Sequence, residues 1–422
     1  MKKLRNDLEV YILTILLGAA TGAVIWGFLK VAGLCTGLLW DVLPELTGSR
    51  YLPLAVCTAG GLLTGLIRKR HGDYPEELHV VLGKIKREKH YDYGKMPVML
   101  ICALLPLILG ASVGPEAGMT GIIAGLCYWI GDNVKYAKEH AQEYSEIGAA
   151  VTLAGLFHVP LFGIFAVEEN EAGAENDGSF SMPKTAKLLL YGLSTASAFL
   201  VMKGLGSLLG PAGEGFPSLE AAEASGSDLA MMLIYVPAGL ILFIVFTYAE
   251  RLTGTAASKV PPVAREGLCG LCIGVMSLLV PAVLFSGEEQ LGMLTSDFSS
   301  YAPAALMGIC ILKLIMTALC IKMGLKGGHF FPLIYACSCM GFAAAMIAFG
   351  GGPGDLASHA VFAAAIVTAA TLGAQLRKPL AVSMLLLICF PFRFILWILL
   401  AAAAGGRAGA LIEEKGKKGS KE

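Results

Sequence analysis

The chain of 422 residues is 56% hydrophobic and only 15% charged, with 32 basic and 32 acidic side chains and a formal net charge of zero. A soluble protein carries charge on roughly a quarter of its residues, so the composition argues against a soluble fold. High apolar content without net charge excludes disorder, and the lack of basic excess excludes nucleic-acid binding through bulk charge.

What remains is an all-α polytopic membrane protein. A helix needs about 20 apolar residues to span a bilayer. Residues 10–29 form the first charge-free run of that length, behind Lys2, Lys3 and Arg5. The run is too long for a signal peptide and no A-x-A site ends it. It predicts a retained first helix with its N-terminus in the cytoplasm. Residues 52–67 follow and end on Arg68, Lys69 and Arg70. Lys84, Lys86, Arg87 and Lys89 extend that basic loop, which reads as cytoplasmic by the positive-inside rule. The next long runs are 96–115 and 147–167, with shorter ones at 117–131 and 188–202. The second half offers 230–249, 268–287, 327–354 and 356–376, with shorter runs at 298–312 and 379–392. Residues 407–422 read as a short basic cytoplasmic tail, too short for a soluble regulatory domain. The pattern predicts a single transmembrane domain over 1–422, with approximate halves 10–205 and 229–406, in the cell membrane.

Glycine and proline break many of these runs; the chain has 52 glycines and 19 prolines. Small residues let membrane helices pack closely. Breaks at membrane depth are tolerated where protein or a watery cavity covers the freed backbone. The breaks recur in order. Gly114-Pro115-Glu116-Ala117-Gly118 precedes Leu156-Phe157-His158-Val159-Pro160-Leu161 in the first half. Gly327-Gly328-His329-Phe330-Phe331-Pro332 precedes Leu376-Arg377-Lys378-Pro379-Leu380 in the second. Pro115 to Pro160 is 45 residues and Pro332 to Pro379 is 47. Paired interrupted segments in corresponding places point to a midplane binding site in a transporter built from inverted repeats.

The breaks carry chemistry. Proline suits the first turn of a helix, and the first amides of a helix have no internal partner. With the positive end of the helix dipole they form an anion site. Gly114, Ala117, Gly328, His329, Phe330 and Phe331 are the candidate anion-binding positions; taken singly, such motifs can also be plain kinks between packed helices. Glu116 is the one charged residue between Lys95 and Asp132. A carboxylate at mid-bilayer costs about 2.5–3.5 kcal/mol on insertion scales and marks function. At a helix start it competes with an anion for the same amides, so its protonation would free the site. Glu168 and Glu169 end the run 147–167. They read either as a proton access point or as a solvated helix end, and the acids Glu171, Glu175 and Asp177 favour the second reading. Eleven cysteines lie almost entirely in apolar runs. Cys269-Gly-Leu-Cys272 has metal-like spacing but lacks two further ligands nearby, so no metal, disulfide scaffold or cofactor is expected.

Taken together these segments resemble the CLC family of chloride channels and proton-coupled chloride antiporters. Gly110-Ala-Ser-Val-Gly114-Pro115-Glu116-Ala117-Gly118 is similar to the family's G(K/R)EGP segment, with Glu116 at the gating position. Gly328-His329-Phe330-Phe331-Pro332 matches GxFxP. The segment 156–169 is similar to the stretch that ends on the antiporters' internal proton-relay acid, which falls on Glu169, with Glu168 beside it. Leu376–Pro379 resembles the R-x-P-L start of a late helix. The resemblance implies an inverted-repeat bundle of broken and tilted helices, a homodimer with one anion pathway per subunit, and chloride (or a similar small anion) and protons as the species moved.

Some positions depart from the family pattern. GSGIP stands as His71-Gly72-Asp73-Tyr74-Pro75, which the resemblance adds to the anion-binding candidates as Gly72 and Asp73; Gly72 replaces the serine whose hydroxyl holds the central anion, and Asp73 follows it. Pro115 replaces a basic residue, and the late anion-coordinating tyrosine has no counterpart. These departures imply a looser central site. The acid at Glu169 favours an antiporter; a passive channel with degraded coupling, or a non-transport protein of the same fold, are the alternatives. Nothing resembles a catalytic triad or nucleotide loop, so an enzyme is not expected.

Overall fold

The structure, a computed structural model, describes residues 2–76, 80–81, 91–133, 141–171, 184–213, 215–350 and 355–419. The side chains of 2–8, 131, 141–143, 145–146, 166–171, 184–185, 187 and 415–419 lie outside that description. Helix α1 (Lys2–Gly37) runs through a π-helical turn (Leu38–Val42) into α2 (Leu43–Thr47). Then come α3 (Leu52–His71), α4 (Met96–Ile108), α5 (Glu116–Asn133), α6 (Ala141–Leu156), α7 (Pro160–Glu171) and α8 (Lys184–Leu209). The second half holds α9 (Gly226–Ala257), α10 (Ala264–Leu279), the short polar α11 (Glu288–Asp297), α12 (Pro303–Lys322), α13 (Phe330–Phe349), α14 (Leu356–Leu376), α15 (Pro379–Leu386) and α16 (Ile395–Gly419).

Among the described residues, seven segments are long and apolar enough to cross a membrane. Helices α13 and α14 are apolar all round and form the centre, the pattern of a helix with no solvent face. Outer helices keep large apolar side chains exposed, Leu208 on α8 and Leu233 on α9 among them. Exposed leucine in such numbers fits a lipid-facing surface.

The run 356–376 coincides with α14 residue for residue. Three other expected spans are each divided. The run 96–115 leaves helix at Ile108, where Gly110 turns with φ +77°. The run 147–167 is cut between α6 and α7 by His158 at φ +52°. The run 268–287 ends at Leu279, followed by a 3-10 turn and by Phe285 and Gly287 at positive φ. No charge marks these ends, so hydropathy could not see them. Their backbone is satisfied internally, as membrane depth demands: Val159 N–H donates to Ala154 and Phe285 N–H to Gly110.

Two expectations stopped short at a charge. The run 298–312 halted at Lys313, yet α12 passes through it to Lys322. The fully buried ammonium donates to the carbonyls of Val283 (3.1 Å), Leu284 (2.9 Å) and Phe285 (2.6 Å), which replace its water. The tail expected from 407 onward begins as a continuation of α16, which is helical to Gly419.

The repeat is visible in the backbone. The triple α5–α6–α7 corresponds to α13–α14–α15. Its second break sits at His158 in one half and at Arg377 (φ +56°) in the other, each two residues before the proline that starts the next helix. Left-handed residues at a helix C-terminus close its last carbonyls, so both halves use the same device for the same turn.

A buried ion network ties the halves together. Arg68, in the last turn of α3, donates to Glu266 on α10 (2.8 Å) and to the Gly324 carbonyl (2.6 Å), and pairs with Asp73. Glu266 also accepts from Arg265 (2.9 Å) and from the Val263 amide (2.7 Å). Removing one partner leaves an uncompensated buried charge, at about 3–5 kcal/mol. Arg68→Met should therefore lower stability by about that amount in thermal unfolding of the purified protein. Adding Glu266→Leu should recover part of it, because an apolar pair strands no charge.

Candidate functional site

Two helix starts meet at the centre of the molecule. The stretch before α5 and the stretch before α13 pair in antiparallel fashion, Gly114 N–H to Gly328 carbonyl and Gly328 N–H to Gly114 carbonyl, both 2.8 Å. Glu116 is the first residue of α5 and is buried. Its Oε1 accepts the Phe330 amide at the start of α13 (2.9 Å). Its Oε2 is buried with no hydrogen-bond partner among the described residues. A carboxylate of the first repeat thus occupies an amide of the second.

The two glycines make room for it. A Cβ on Gly114 or on Gly328 would collide with the Glu116 carboxyl. Gly328→Ala should expel the carboxyl from the Phe330 amide and lose a charge-assisted hydrogen bond, about 1.5–3 kcal/mol. A double-mutant cycle checks this: the cost should largely vanish in a Glu116→Ala background, because contacting residues couple.

Further helix-start amides lie beside this contact. Ala117 is buried as the second residue of α5. His329 caps α13, and Pro332 has no N–H, so that start offers Phe330 and Phe331. Aromatic rings wall the site. Phe331 is stacked between Phe157 (centroids 4.7 Å) and Phe216 (5.1 Å), and the His329 ring packs on Phe330 (4.6 Å). Phe157 belongs to the first repeat's break, so three of the four motifs converge here; Arg377 of the fourth pairs with Glu413 on α16 instead. Such walls exclude water and strengthen the fields of the amides.

Gly72 and Asp73 behave differently from the other candidates. Gly72 ends α3 at φ +115°, ψ 174°, a conformation side chains rarely adopt. The loop is therefore a different turn, and not a serine turn with its hydroxyl deleted. Asp73 follows it and is paired with Arg68 and with Lys326 (2.7 Å). Its charge is compensated, and Lys326, two residues before Gly328, brings a cation that the motif reading missed. Nothing in the spacing of the two residues announces their pairing. Glu168 and Glu169 lie in the last turns of α7, with side chains outside the described residues.

A cavity of about 720 Å³ opens onto the site from one side. Val113, Pro115, His158 and Phe331 line its inner end, and Asp41, Lys203, Glu288 and Glu289 its wall. The acids of this wall carried no sequence signal, since exposed or half-exposed charged residues are unremarkable.

The architecture has known relatives. The chain superposes on a slow cyanobacterial Cl⁻/H⁺ antiporter with TM-score 0.77 at 18% identity, covering 96% of this chain and 97% of that one. It superposes on a CLC-type fluoride/proton antiporter with TM-score 0.71 at 20% identity, covering 94% of each. These likenesses show the fold. In sequence it is similar to chloride channel protein CLC-e of Arabidopsis thaliana, 22% identical over 358 residues. That alignment takes 78% of this chain but 48% of the plant protein, so the chain spans about half the length of that relative. It is also similar to the putative ion-transport protein YfeO of Escherichia fergusonii, 21% identical over 346 residues, 80% of this chain and 79% of that one. The profile of the family described as voltage gated chloride channel matches residues 54–408. With that match over most of its length, and with the Gly114–Gly118 and Gly327–Pro332 motifs meeting at one buried glutamate, the chain belongs to the voltage-gated chloride channel (CLC) family.

Proposed function

We propose that the protein moves chloride or a similar small anion across the membrane in exchange for protons, with Glu116 as the gate and Glu169 as the inner proton relay. The observation that carries this reading is the Glu116 carboxylate seated on the Phe330 amide. A carboxylate there is a built-in anion, and an external anion can take the amide only when it leaves. Protonation weakens its hold, because an uncharged acid is a poorer acceptor than a carboxylate. Anion binding and proton binding are thereby alternatives at one site, which is the requirement for exchange.

The altered turn at Gly72 favours a second reading, a passive anion channel. Without a side-chain hydroxyl the central anion rests on backbone amides, which discriminate modestly among chloride, bromide and nitrate. On either reading the protein works as a homodimer with one pathway per subunit, in the cell membrane with both termini cytoplasmic. Anion efflux from liposomes holding the purified protein tests the shared part. Efflux above that of empty liposomes is expected; efflux indistinguishable from them would leave only a non-transport role.

A further inference from the structure

We propose that Glu288 is the proton-exchange partner of Glu116: the two carboxyls titrate as one pair across the cavity, and protons from the cavity water pass through Glu288. The inference rests on the gate reading of Glu116 and adds the group that loads it.

The geometry begins with how firmly Glu288 is held. It opens α11, a polar helix outside the seven spanning segments. The segment just before it is clamped on several sides. Lys313 holds the carbonyls of Val283, Leu284 and Phe285. Phe285, at φ +56°, packs edge-on against Trp40 (5.0 Å). Trp40 in turn donates to the Ile108 carbonyl at the end of α4 (2.9 Å). Gly287, at φ +100°, lies where a Cβ would meet Tyr335 of α13. Strained backbone persists when its surroundings over-determine it, and it clusters at functional sites.

This clamp also reaches the gate. Phe285 N–H donates to the Gly110 carbonyl (3.2 Å), and Gly110 opens the stretch that carries Glu116. Glu288 therefore keeps a fixed relation to Glu116 although the two are far apart in sequence. Glu288 lines the cavity, and Pro115, the residue before Glu116, lines it too. Next to Pro115 in the chain, the Glu116 Oε2 is buried and has no hydrogen-bond partner among the described residues.

The charges around Glu288 suit a proton carrier. Asp41, Glu289 and His158 share its cavity, with Lys203 as a cation on the wall. Lys313 and Tyr335 pack behind the segment, and Lys313 is spent on its carbonyls. Glu288 is half-buried, and its Oε2 accepts the Ser286 hydroxyl (3.0 Å). Burial pushes its carboxyl up to about 8; the Ser286 hydroxyl pulls the other way, and the charge of Glu116 adds to the push. Two carboxyls that feel each other release protons in steps belonging to the pair. An acidic wall is a poor approach for an anion and a good one for a proton, so loading protons there also lowers the barrier to the anion.

Infrared difference titration of the purified protein tests the pair without requiring transport. The carboxyl band lost in Glu116→Gln identifies Glu116. Its titration midpoint should fall by at least about half a pH unit in Glu288→Gln, because a neighbouring negative charge is gone. It should return in Glu288→Asp, which keeps the charge. An unchanged midpoint in Glu288→Gln, with the Glu116 band present, overturns the pairing. A midpoint that falls equally in Glu288→Asp also overturns it, since the effect would then come from altered packing. Loss of anion efflux in the wild type would instead count against the transport reading, which this titration does not use.

Discussion

Glu116→Gln should still pass anions, but its flux should no longer vary with pH and it should move no protons. The glutamine keeps the length of the side chain and carries no charge. Its amide oxygen can still accept from the Phe330 N–H, only more weakly than a carboxylate does at 2.9 Å. An anion then displaces it at every pH. If Glu116 is the gate, protonation weakens this hold in the wild type, and its flux should rise as pH falls. The sign follows from the chemistry: the acid form opens and the carboxylate closes. Flux measured across a pH series in liposomes checks it, with proton uptake expected at the level of empty liposomes. Wild-type pH dependence and coupling in Glu116→Gln would remove Glu116 from the gate.

Glu169→Gln should show the complementary loss. Glu116 serves the stretch near the start of α5, and a proton crossing hydrocarbon needs further titratable groups or water. Glu169 lies in the last turns of α7, at the far end of the segment that begins at Pro160 beside the Phe157 wall. Glutamine there cannot bind and release a proton, while the shape of the helix end is kept. Proton movement should fall to background and anion flux should persist. Glu168→Gln should have the smaller effect on proton uptake. Equal coupling in wild type and Glu169→Gln would move the relay elsewhere, with Asp73 the next acid to test.

The site was legible where chemistry is written in a few adjacent residues. Gly-Pro before an apolar stretch marked the start of α5. Gly-Gly before Phe330 marked that of α13, and the two Pro-Leu breaks fell where His158 and Arg377 turn the chain. Glu116 stood out because no other charge accompanies it. The membrane class was legible in composition alone. Helix ends inside apolar runs were not, since Ile108 and Leu279 are followed by residues as apolar as those before them. A charge inside a helix misled in the opposite sense: Lys313 looked like an end because three carbonyls from a distant turn cannot be foreseen from its own neighbours. The same holds for Arg68 with Glu266 and Asp73 with Lys326. Each is a long-range pairing whose partners lie on different elements.

The central claim is exchange of anions for protons at one carboxylate, and one measurement meets it directly. Liposomes holding the wild-type protein are loaded with high chloride and diluted into low chloride at equal pH, and the external pH is followed. The outward chloride gradient should drive protons inward, raising the external pH, and the rise should be absent in Glu116→Gln liposomes that still release chloride. Chloride release from the wild type with no proton uptake would contradict the exchange account and leave a passive anion channel.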